Sequence, residues 1–240
     1  MTSIYYWLTP MQTIISYENL FHNRIKYGWK VAWIAWLYIN NYTIPKGFIL
    51  PCDSIYFDES ICIWDKNEIK FPWICRSSVE CEDGHYASFA WIFHSKVIYR
   101  QEELHWAINE IRQSSKTEYA QKYAKIVNVK IWSVHILIQE YIEWEISWVY
   151  FSDLFGKWPL IEYVEWSCSK LVNSQSNAKK AWYRDLLDNK INYPNILRIL
   201  FWECNSIATL YWKDVDIEWT VQENQIYFLQ IRPITQEICR

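Results

Sequence analysis

The sequence predicts an α+β fold in two lobes, a helix-rich first lobe over residues 1–125 and a second lobe of antiparallel strands over residues 126–240. Two periodicities lead to this prediction. Apolar residues recur at three- and four-residue spacing through much of the first half, whereas they alternate with polar residues through much of the second. The chain has no internal repeat and no Pro/Gly/Ser-rich linker, and its 240 residues are ample for a buried core.

Helices begin and end the predicted first lobe. The helix at residues 29–40 starts just after Gly28, and the helix at 101–114 has acidic residues in its first turn. An apolar stripe on that second helix consists of Leu104, Ala107, Ile108 and Ile111. The expected elements are a helix at 12–23, a helix at 29–40, a turn at 44–47, a strand at 48–50, strand and loop over 52–70, a strand at 71–78, a polar loop at 80–85, and helices at 101–114 and 119–125.

Strands dominate the predicted second lobe. The last two strands alternate between apolar and polar residues, and Glu223 and Asn224 form a hairpin turn between them. A helix opens near Pro194, because the residues that follow it are apolar at helical spacing. The expected elements are strands at 127–131, 135–141, 146–152 and 160–165, a helix with loop over 173–192, a helix at 193–211, and strands at 215–221 and 225–231.

The charge and the cysteines argue against several classes of protein. A net charge of −3, with acids and bases interspersed, does not indicate a nucleic-acid-binding face. No apolar stretch is long enough to span a bilayer, and the N-terminus does not have the organisation of a signal peptide. The seven scattered cysteines form no metal-binding pattern and indicate a reducing compartment, so we expect a cytoplasmic protein.

Tryptophan and glycine occur in inverted proportions. The chain holds 17 Trp and 4 Gly, whereas an ordinary domain of this length would hold roughly seventeen glycines. Several Trp stand where a residue without a side chain makes physical sense, as at Trp29, Trp91 and Trp148. We therefore expect that UGA codons read as glycine in the source organism are written here as Trp. The alternative is a protein that is rich in Trp.

Four segments carry residues of the kind that bind phosphates and metal ions. In chain order they are Gly28-Trp29-Lys30 with Pro45-Lys46-Gly47-Phe48, then Cys75-Arg76-Ser77-Ser78 with Ser88-Phe89-Ala90-Trp91, then Gln139-Glu140 with Ser147-Trp148, and finally Asp216-Ile217-Glu218 with Gln230-Ile231-Arg232-Pro233. Together and in this order, they resemble the ATP-grasp nucleotide-binding domain of the phosphoenolpyruvate synthase and pyruvate phosphate dikinase family. Restoring glycine at Trp29, Trp91, Trp148, Trp166 and Trp212 improves the match.

The resemblance implies a two-lobed ATP-grasp fold and a site for ATP and Mg²⁺. It gives catalytic roles to Lys30, Arg76 and Arg232, as cations that neutralise the phosphates during transfer. It makes Glu218 and Gln230 the metal ligands, as oxygen donors that face each other across the last hairpin. It also gives nucleotide contacts to Gly28 and Trp29 in a phosphate loop at a helix N-terminus, to Trp91 and Ser95 in a loop that closes over the phosphates, and to Gln139 and Glu140 at the adenine hinge.

Each of these residues has a simpler interpretation that the sequence leaves open. Lys30 could be a solvated helix residue, and Arg76 could pair with Glu82 or Asp83. Glu218 and Gln230 could be an ordinary cross-strand polar pair. Gln139 and Glu140 could simply end a strand, and the five histidines, His94 included, are interpreted as structural or surface residues.

The resemblance also implies partners. In that family the ATP-grasp domain phosphorylates a histidine on a swivelling domain, which delivers the phosphoryl group to pyruvate at a third domain. Because the chain contains no threonine-serine-histidine motif, we expect those two domains to be separate chains or parts of a longer protein, and we expect neither nucleic acid nor membrane as a partner. Two rival functions remain: the ATP domain of an antibiotic phosphotransferase of the rifampicin type, and a non-catalytic ATP-binding module. The last alternative is a degraded polypeptide that has no function with Trp at these positions.

Overall fold

The computed structural model describes residues 22, 24–52, 61–62, 69–81, 92–131, 133–143, 146–152, 159–165, 179–188, 195–211 and 214–234. Most of the helix predicted at 12–23 and most of the polar loop predicted at 80–85 lie outside these residues. So do Trp91, Trp166 and Trp212. Within the described part of the chain, no helix is both long enough and apolar enough to cross a membrane.

Six helices and ten strands form the described part of the fold. The helices are α1 (Arg24–Tyr27), α2 (Trp29–Ile39), α3 (Leu104–Ser114, preceded by a 3-10 turn at Gln101–Glu103), α4 (Glu118–Ile126), α5 (Tyr183–Leu187) and α6 (Asn195–Tyr211). The strands are β1 (Gly47–Leu50), β2 (Ile61–Cys62), β3 (Trp73–Ser78), β4 (Ser95–Ile98), β5 (His135–Glu140), β6 (Ile146–Phe151), β7 (Leu160–Glu165), β8 (Lys179–Trp182), β9 (Val215–Gln222) and β10 (Gln225–Pro233).

The first sheet is antiparallel and has the strand order β2-β1-β5-β3-β4. Strand residues alternate between its faces, so Ile136 and Ile138 lie on one face and Leu137 on the other. The first of these faces packs against α3 and α4. The predicted apolar stripe of α3 is buried there, which confirms the helix and its apolar face. The opposite face packs against α2 and belongs to a second core.

The second sheet is also antiparallel, with the order β10-β9-β6-β7-β8. One of its faces is apolar and packs against α6 and α2 in the second core, where Trp219, Tyr150 and Phe201 are almost completely buried. The other face carries polar and charged side chains, among them Asp216 and Glu218. We call it the polar face of the second sheet.

The strand predicted at 127–131 is wrong. Helix α4 ends in a left-handed turn at Asn128, with φ 54°. The Val129 N–H donates to the Ala124 carbonyl and the Asn128 N–H to the Lys125 carbonyl, the pair of bonds that defines a Schellman cap. The alternating valines therefore follow a helix end, and the chain is irregular up to residue 131.

A strand was missing from the prediction at residues 173–192. The described part of this segment forms β8, which pairs with β7 at the edge of the second sheet, and then the short helix α5. Lys179 and Lys180 begin β8. Charged lysines are usual on edge strands, where they oppose further pairing, but their polarity conceals the strand in the sequence.

The last hairpin has the predicted turn and one irregularity. Glu223 and Asn224 both have positive φ, 51° and 61°, as a two-residue turn of type I′ requires. The pairing of β10 with β9 shifts between Phe228 and Gln230, which makes Leu229 the extra residue of a β-bulge. As a result, Phe228 lies in the apolar core, whereas Gln230 lies opposite Glu218 on the polar face.

The α+β class is confirmed. The lobe boundary near residue 125 stays a prediction, and β5, which follows it in the chain, is the central strand of the first sheet.

Candidate functional site

Arg76 connects the two sheets. It lies on β3, on the face of the first sheet opposite to α3 and α4, and its side chain is 12% exposed. Its guanidinium donates to the Leu229 carbonyl at 2.9 Å, to the Gln230 Oε1 at 2.5 Å and, more weakly, to the Glu218 Oε2 at 3.4 Å. The structure thus brings together three of the predicted site residues, which are 142 and 154 positions apart in the chain.

Arg232 forms a second ion pair beside the first. It lies opposite Asp216 across the β9–β10 ladder, and its Nε contacts the two carboxylate oxygens of Asp216 at 2.6 and 2.7 Å. Residues two apart in a strand point to the same face, so Asp216 and Glu218 share the polar face, as do Gln230 and Arg232. We call Arg76, Asp216, Glu218, Gln230 and Arg232 the arginine–acid cluster.

The arginine–acid cluster balances its charges internally. Its two guanidiniums and two carboxylates sum to zero, which limits the cost of holding them half-buried. The same groups suit a ligand that carries both charge signs. Guanidiniums bind phosphate oxygens through charge-assisted, often bidentate hydrogen bonds, and carboxylates bind divalent cations. A metal–phosphate ligand could replace both ion pairs and leave each charge neutralised.

The polar row through Glu218 continues across the whole second sheet. Register places Gln230 of β10, Glu218 of β9, Val149 of β6, Glu162 of β7 and Lys180 of β8 side by side. The Lys180 ammonium lies 3.0 Å from the Glu162 carboxylate. The row therefore has charged side chains at both ends, Glu218 beside the cluster and Glu162 with Lys180 near the sheet edge, and the apolar Val149 between them.

The turn before α2 requires glycine at Gly28. Its φ of 85° lies in the region that side chains disfavour, and a Cβ there would come within 2.5 Å of the backbone between Ser78 and Val79. The Ser78 hydroxyl holds this turn, since it donates to the Tyr27 carbonyl at 2.8 Å and accepts from the Val31 N–H at 3.2 Å. The Gly28 turn is thereby fixed to the end of β3, the strand that carries Arg76.

The helix N-terminus that was predicted to bind phosphate is partly occupied by protein groups. The Trp29 N–H donates to the Val79 carbonyl, and the Val31 N–H to Ser78. Lys30 lies in the first turn of α2 and is 8% exposed, so it is not the solvated helix residue that the sequence left open. The phosphate contact of Lys30 stays a prediction, as does that of the Gly28 turn.

The backbone does not demand glycine at Trp29. This residue is helical, and its indole stacks on that of Trp33 with ring centroids 5.3 Å apart. Within the described ranges, the non-glycine residues with positive φ are three Asn and one Glu, and none is Trp. The recoding hypothesis therefore depends on ligand access and on the sequence match, and it stays a prediction.

The predicted adenine and lid residues fall into different places. Gln139 and Glu140 end β5, as expected, but as neighbours in a strand they point to opposite faces. Gln139 is buried on the face that carries Arg76 and donates to the Pro45 carbonyl at 3.3 Å, while Glu140 accepts from the Lys70 N–H. Ser95 was predicted in a loop but is the first residue of β4, paired with Arg76. Their nucleotide contacts stay predictions, as does that of Trp91.

The donor set of the arginine–acid cluster fits Mg²⁺ in part. Glu218 supplies a carboxylate that is 31% exposed, and Asp216 a second one beside it. Proteins commonly hold Mg²⁺ through one or two carboxylates, with phosphates and water filling the other positions. Among the described residues, no group of three or more His, Cys, Asp or Glu could hold a metal ion without such help. The cluster therefore fits a metal that arrives with phosphates.

Two residues of this site were not among the predicted ones. Asp216 holds Arg232, and Ser78 holds the Gly28 turn. The sequence contained a signal for Asp216, because it lies two residues before Glu218 in an alternating strand and so must share its face. Ser78 stands in the same segment as Arg76, but the sequence contained no signal for its contacts, because its partners are 47 and 51 residues away.

No family model matches the sequence, and no curated protein is similar to it. Similar solved structures include D-alanine–D-alanine ligase from Bacillus anthracis complexed with ATP, with a TM-score of 0.50 and 12% identity over 89% of this chain and 55% of that one. Another structure of the Bacillus anthracis ligase gives a TM-score of 0.49 at 13% identity, over 90% of this chain and 58% of that one. The ligase from Helicobacter pylori gives 0.47 at 15% identity, over 88% and 54%.

The chain spans little more than half the length of these ligases, between 54% and 58%. At such low identity, the likeness to the ATP-bound ligase bears on the fold alone. It agrees with the two antiparallel sheets and with the helices that pack against them. The chain therefore has the α+β fold of the ATP-grasp proteins, as the four sequence segments predicted.

Proposed function

We propose that this chain is the Mg·ATP-binding unit of a phosphotransferase. The observation that carries the proposal is the arginine–acid cluster, in which Arg76 of one sheet joins Glu218 and Gln230 of the other. The Bacillus anthracis ligase, which is similar in fold, is complexed with ATP, and this supports nucleotide binding by a chain of this fold. The charges of the cluster match those of a metal-bound triphosphate.

In the proposed complex, the two arginines, Glu218 and Gln230 change partners. Arg76 and Arg232 would leave the acids and bind phosphate oxygens, where their charge offsets the negative charge of the transferring group. Glu218, with the amide oxygen of Gln230, would hold Mg²⁺ against the phosphates. When bound, Mg²⁺ would neutralise phosphate charge and orient the triphosphate. Lys30 would add a further cation, and Gln139 and Glu140 would border the adenine.

We further propose that the phosphoryl acceptor is a histidine on a separate swivelling domain, with pyruvate as the final acceptor. The support is the order of the four motif segments, which matches that of the phosphoenolpyruvate synthase and pyruvate phosphate dikinase family. An antibiotic phosphotransferase of the rifampicin type remains the alternative within this class. In that class too, a domain other than the ATP domain determines the acceptor, so the ATP domain alone does not distinguish the two. A non-catalytic ATP-binding module is the alternative outside it. A cytoplasmic location is part of the same proposal.

Calorimetry with Mg·ATP tests the binding site. We expect Arg76→Ala to weaken binding about tenfold or more, since it removes charge-assisted hydrogen bonds to phosphate. Arg100→Ala is the matched control, because Arg100 is exposed and pairs only locally with Glu103. Equal affinities in the Arg76 and Arg100 variants would exclude the cluster as the nucleotide site. Since the recoding hypothesis puts glycine at positions 29 and 91, the series is repeated with Trp29→Gly and Trp91→Gly, which we expect to raise affinity.

The acceptor is tested with radiolabelled ATP. Mixed with a separately expressed swivelling domain from the same organism, the chain should place an acid-labile label on a histidine of that domain. The label should depend on Lys30 and Arg232. Labelling of this chain itself, at His94 for example, would refute a separate acceptor. Nucleotide binding without transfer or hydrolysis would favour the non-catalytic module.

A further inference from the structure

A small cleft lies on the other side of the second sheet from the arginine–acid cluster. It is formed by the loop after α2, the tip of the β9–β10 hairpin and the first three turns of α6, and its volume is about 190 Å³. At roughly 30 Å³ per water molecule, it has room for about six waters. That is too small for a nucleotide or a peptide and suits a compact organic molecule.

The cleft has a fixed framework. The Phe228 N–H donates to the Thr43 carbonyl at 2.9 Å, and the Gln225 side chain donates to the Thr43 hydroxyl at 3.3 Å. The rings of Tyr42 and Phe228 meet edge to face with centroids 5.4 Å apart. These contacts join two segments that are far apart in sequence, so the cleft is built by the fold and is not a gap beside a single loop.

Most of the lining is apolar, with one carboxylate in it. Ile196, Ile199, Ile226, Tyr42 and Phe228 supply apolar and aromatic surface. Glu203 of α6 is the charged residue among the lining side chains, which also include the neutral polar Asn41, Thr43, Asn224 and Gln225. Glu203 is partly buried, and the apolar side chains beside its carboxylate disfavour the charged form relative to open water.

The Glu203 carboxylate lacks a partner in the part of the chain that the structure describes. It makes neither a hydrogen bond nor a salt bridge there, and burial raises its pKa. The Tyr42 hydroxyl in the same cleft also makes no hydrogen bond within the described ranges. Burial and the charge of Glu203 raise the pKa of Tyr42. Both groups can accept a hydrogen bond, and a cation would offset the charge of the carboxylate.

We infer that this cleft is a binding site for a small organic ammonium ion with an apolar body. The ammonium would donate to Glu203 and the Tyr42 hydroxyl, while the apolar body would contact the isoleucines and Phe228. Cations commonly bind beside aromatic rings as well as carboxylates. The cleft is separate from the proposed nucleotide site, since Phe228 and Gln230 lie on opposite faces of the second sheet. This inference does not depend on ATP binding.

Benzylammonium and benzyl alcohol test the inference, because they have nearly the same size and differ in charge. In calorimetric titrations without nucleotide, we expect saturable binding of benzylammonium and at least tenfold weaker binding of benzyl alcohol. Glu203→Gln should weaken benzylammonium binding about tenfold, and Glu118→Gln, the same change on the exposed surface of α4, should not. Circular dichroism verifies that both variants fold.

Amide chemical shifts of the unmodified chain give a second measurement that needs no variant. Benzylammonium should shift the signals of residues 41–43, 203 and 224–228 and leave those of Arg76 and Glu218 unchanged. Equal affinity for the alcohol, unchanged affinity in a folded Glu203→Gln variant, shifts centred elsewhere or no saturable binding would each overturn the inference. If the unmodified chain does not bind ATP but still shows these shifts with benzylammonium, only the proposed function is refuted.

Discussion

The two sheets differ in how many of their faces are covered. The first sheet packs against α3 and α4 on one face and against α2 on the other, whereas the second sheet keeps one polar, partly exposed face. Both contribute to the candidate site, but in different ways. The first presents Arg76 from a strand that is buried on both sides. The second presents Asp216, Glu218 and Arg232, which are largely buried beside Arg76, and the exposed Lys180 at its edge. A covered sheet can hold one side chain firmly, while a half-covered sheet can receive a ligand.

The largest expected effect is a difference in the free energy of unfolding that is lost when one residue is changed in each sheet. Ile138 is fully buried between β5 and the α3–α4 layer, so Ile138→Ala should lower the free energy of unfolding by about 2–5 kcal/mol. Val149 lies on the polar face of the second sheet, and Val149→Thr should change it by less than about 0.5 kcal/mol. Urea unfolding measures both. Similar losses in the two variants would mean that the polar face is packed as a core.

The next effect concerns chemistry on the polar face. Glu218→Gln keeps the shape of the side chain but removes the charge that is proposed to hold Mg²⁺, so phosphoryl transfer should fall about 100-fold while ATP affinity changes only a few-fold. Glu162→Gln is the control, because Glu162 lies in the same row and already pairs with Lys180. Single-turnover transfer and calorimetry separate the two quantities. Transfer that survives in Glu218→Gln would remove Glu218 from the site.

A smaller effect is expected at the Gly28 turn, which fixes the start of α2 to the end of β3. Gly28→Ala places a side chain at positive φ against the backbone of Ser78 and Val79, at a cost of about 1–3 kcal/mol. Thermal unfolding should show this loss. Lys116→Ala, at an exposed position after α3, should be within about 0.5 kcal/mol of the unmodified chain. A neutral Gly28→Ala would mean that the turn rearranges freely.

The smallest effect is a difference in thiol chemistry within the first sheet. Burial raises the pKa of Cys75 on β3 to about 12, because the thiolate is disfavoured away from water. Cys75 should therefore resist iodoacetamide from neutral to mildly alkaline pH, whereas the more exposed Cys52 and Cys81 should be modified. Peptide mass spectrometry locates the label. Rapid modification of Cys75 would show that the α3–α4 layer opens readily.

Local patterns in the sequence predicted much of the fold. Helix α3, the strands β3, β5, β6 and β7, and the last hairpin lie within a few residues of their predicted bounds. These elements carry strong periodicity or turn signals. The errors arose at two segments whose structure is set by something other than their own apolar pattern. The valines at 127 and 129 alternate, but a helix cap at Asn128 fixes them, and β8 exists because β7 pairs with it.

The members of the arginine–acid cluster could be predicted from the sequence better than the contacts between them. The resemblance brought Arg76, Glu218, Gln230 and Arg232 into one group, and the structure places them in one cluster. The partner of Arg76 was not predictable, because it depends on two sheets meeting across 142 residues of sequence. The sequence also did not predict that protein groups occupy the N-terminus of α2. The acceptors of its N–H groups are Ser78 and Val79, which lie at the end of β3 and directly after it.

The bulge at Leu229 decides which residues of β10 reach the polar face. Before it, the even-numbered residues Ile226 and Phe228 face the core, and after it the odd-numbered Ile231 does. If Leu229 paired regularly instead of bulging, Gln230 and Arg232 would turn into the core and Ile231 would turn out of it. Deleting Leu229 would leave Gln230, Ile231 and Arg232 opposite their present partners and would remove the carbonyl that accepts from Arg76. Among relatives of this chain, the residue at 229 can therefore be lost without a change of face, whereas the loss of a neighbouring residue that is paired in the ladder should be avoided.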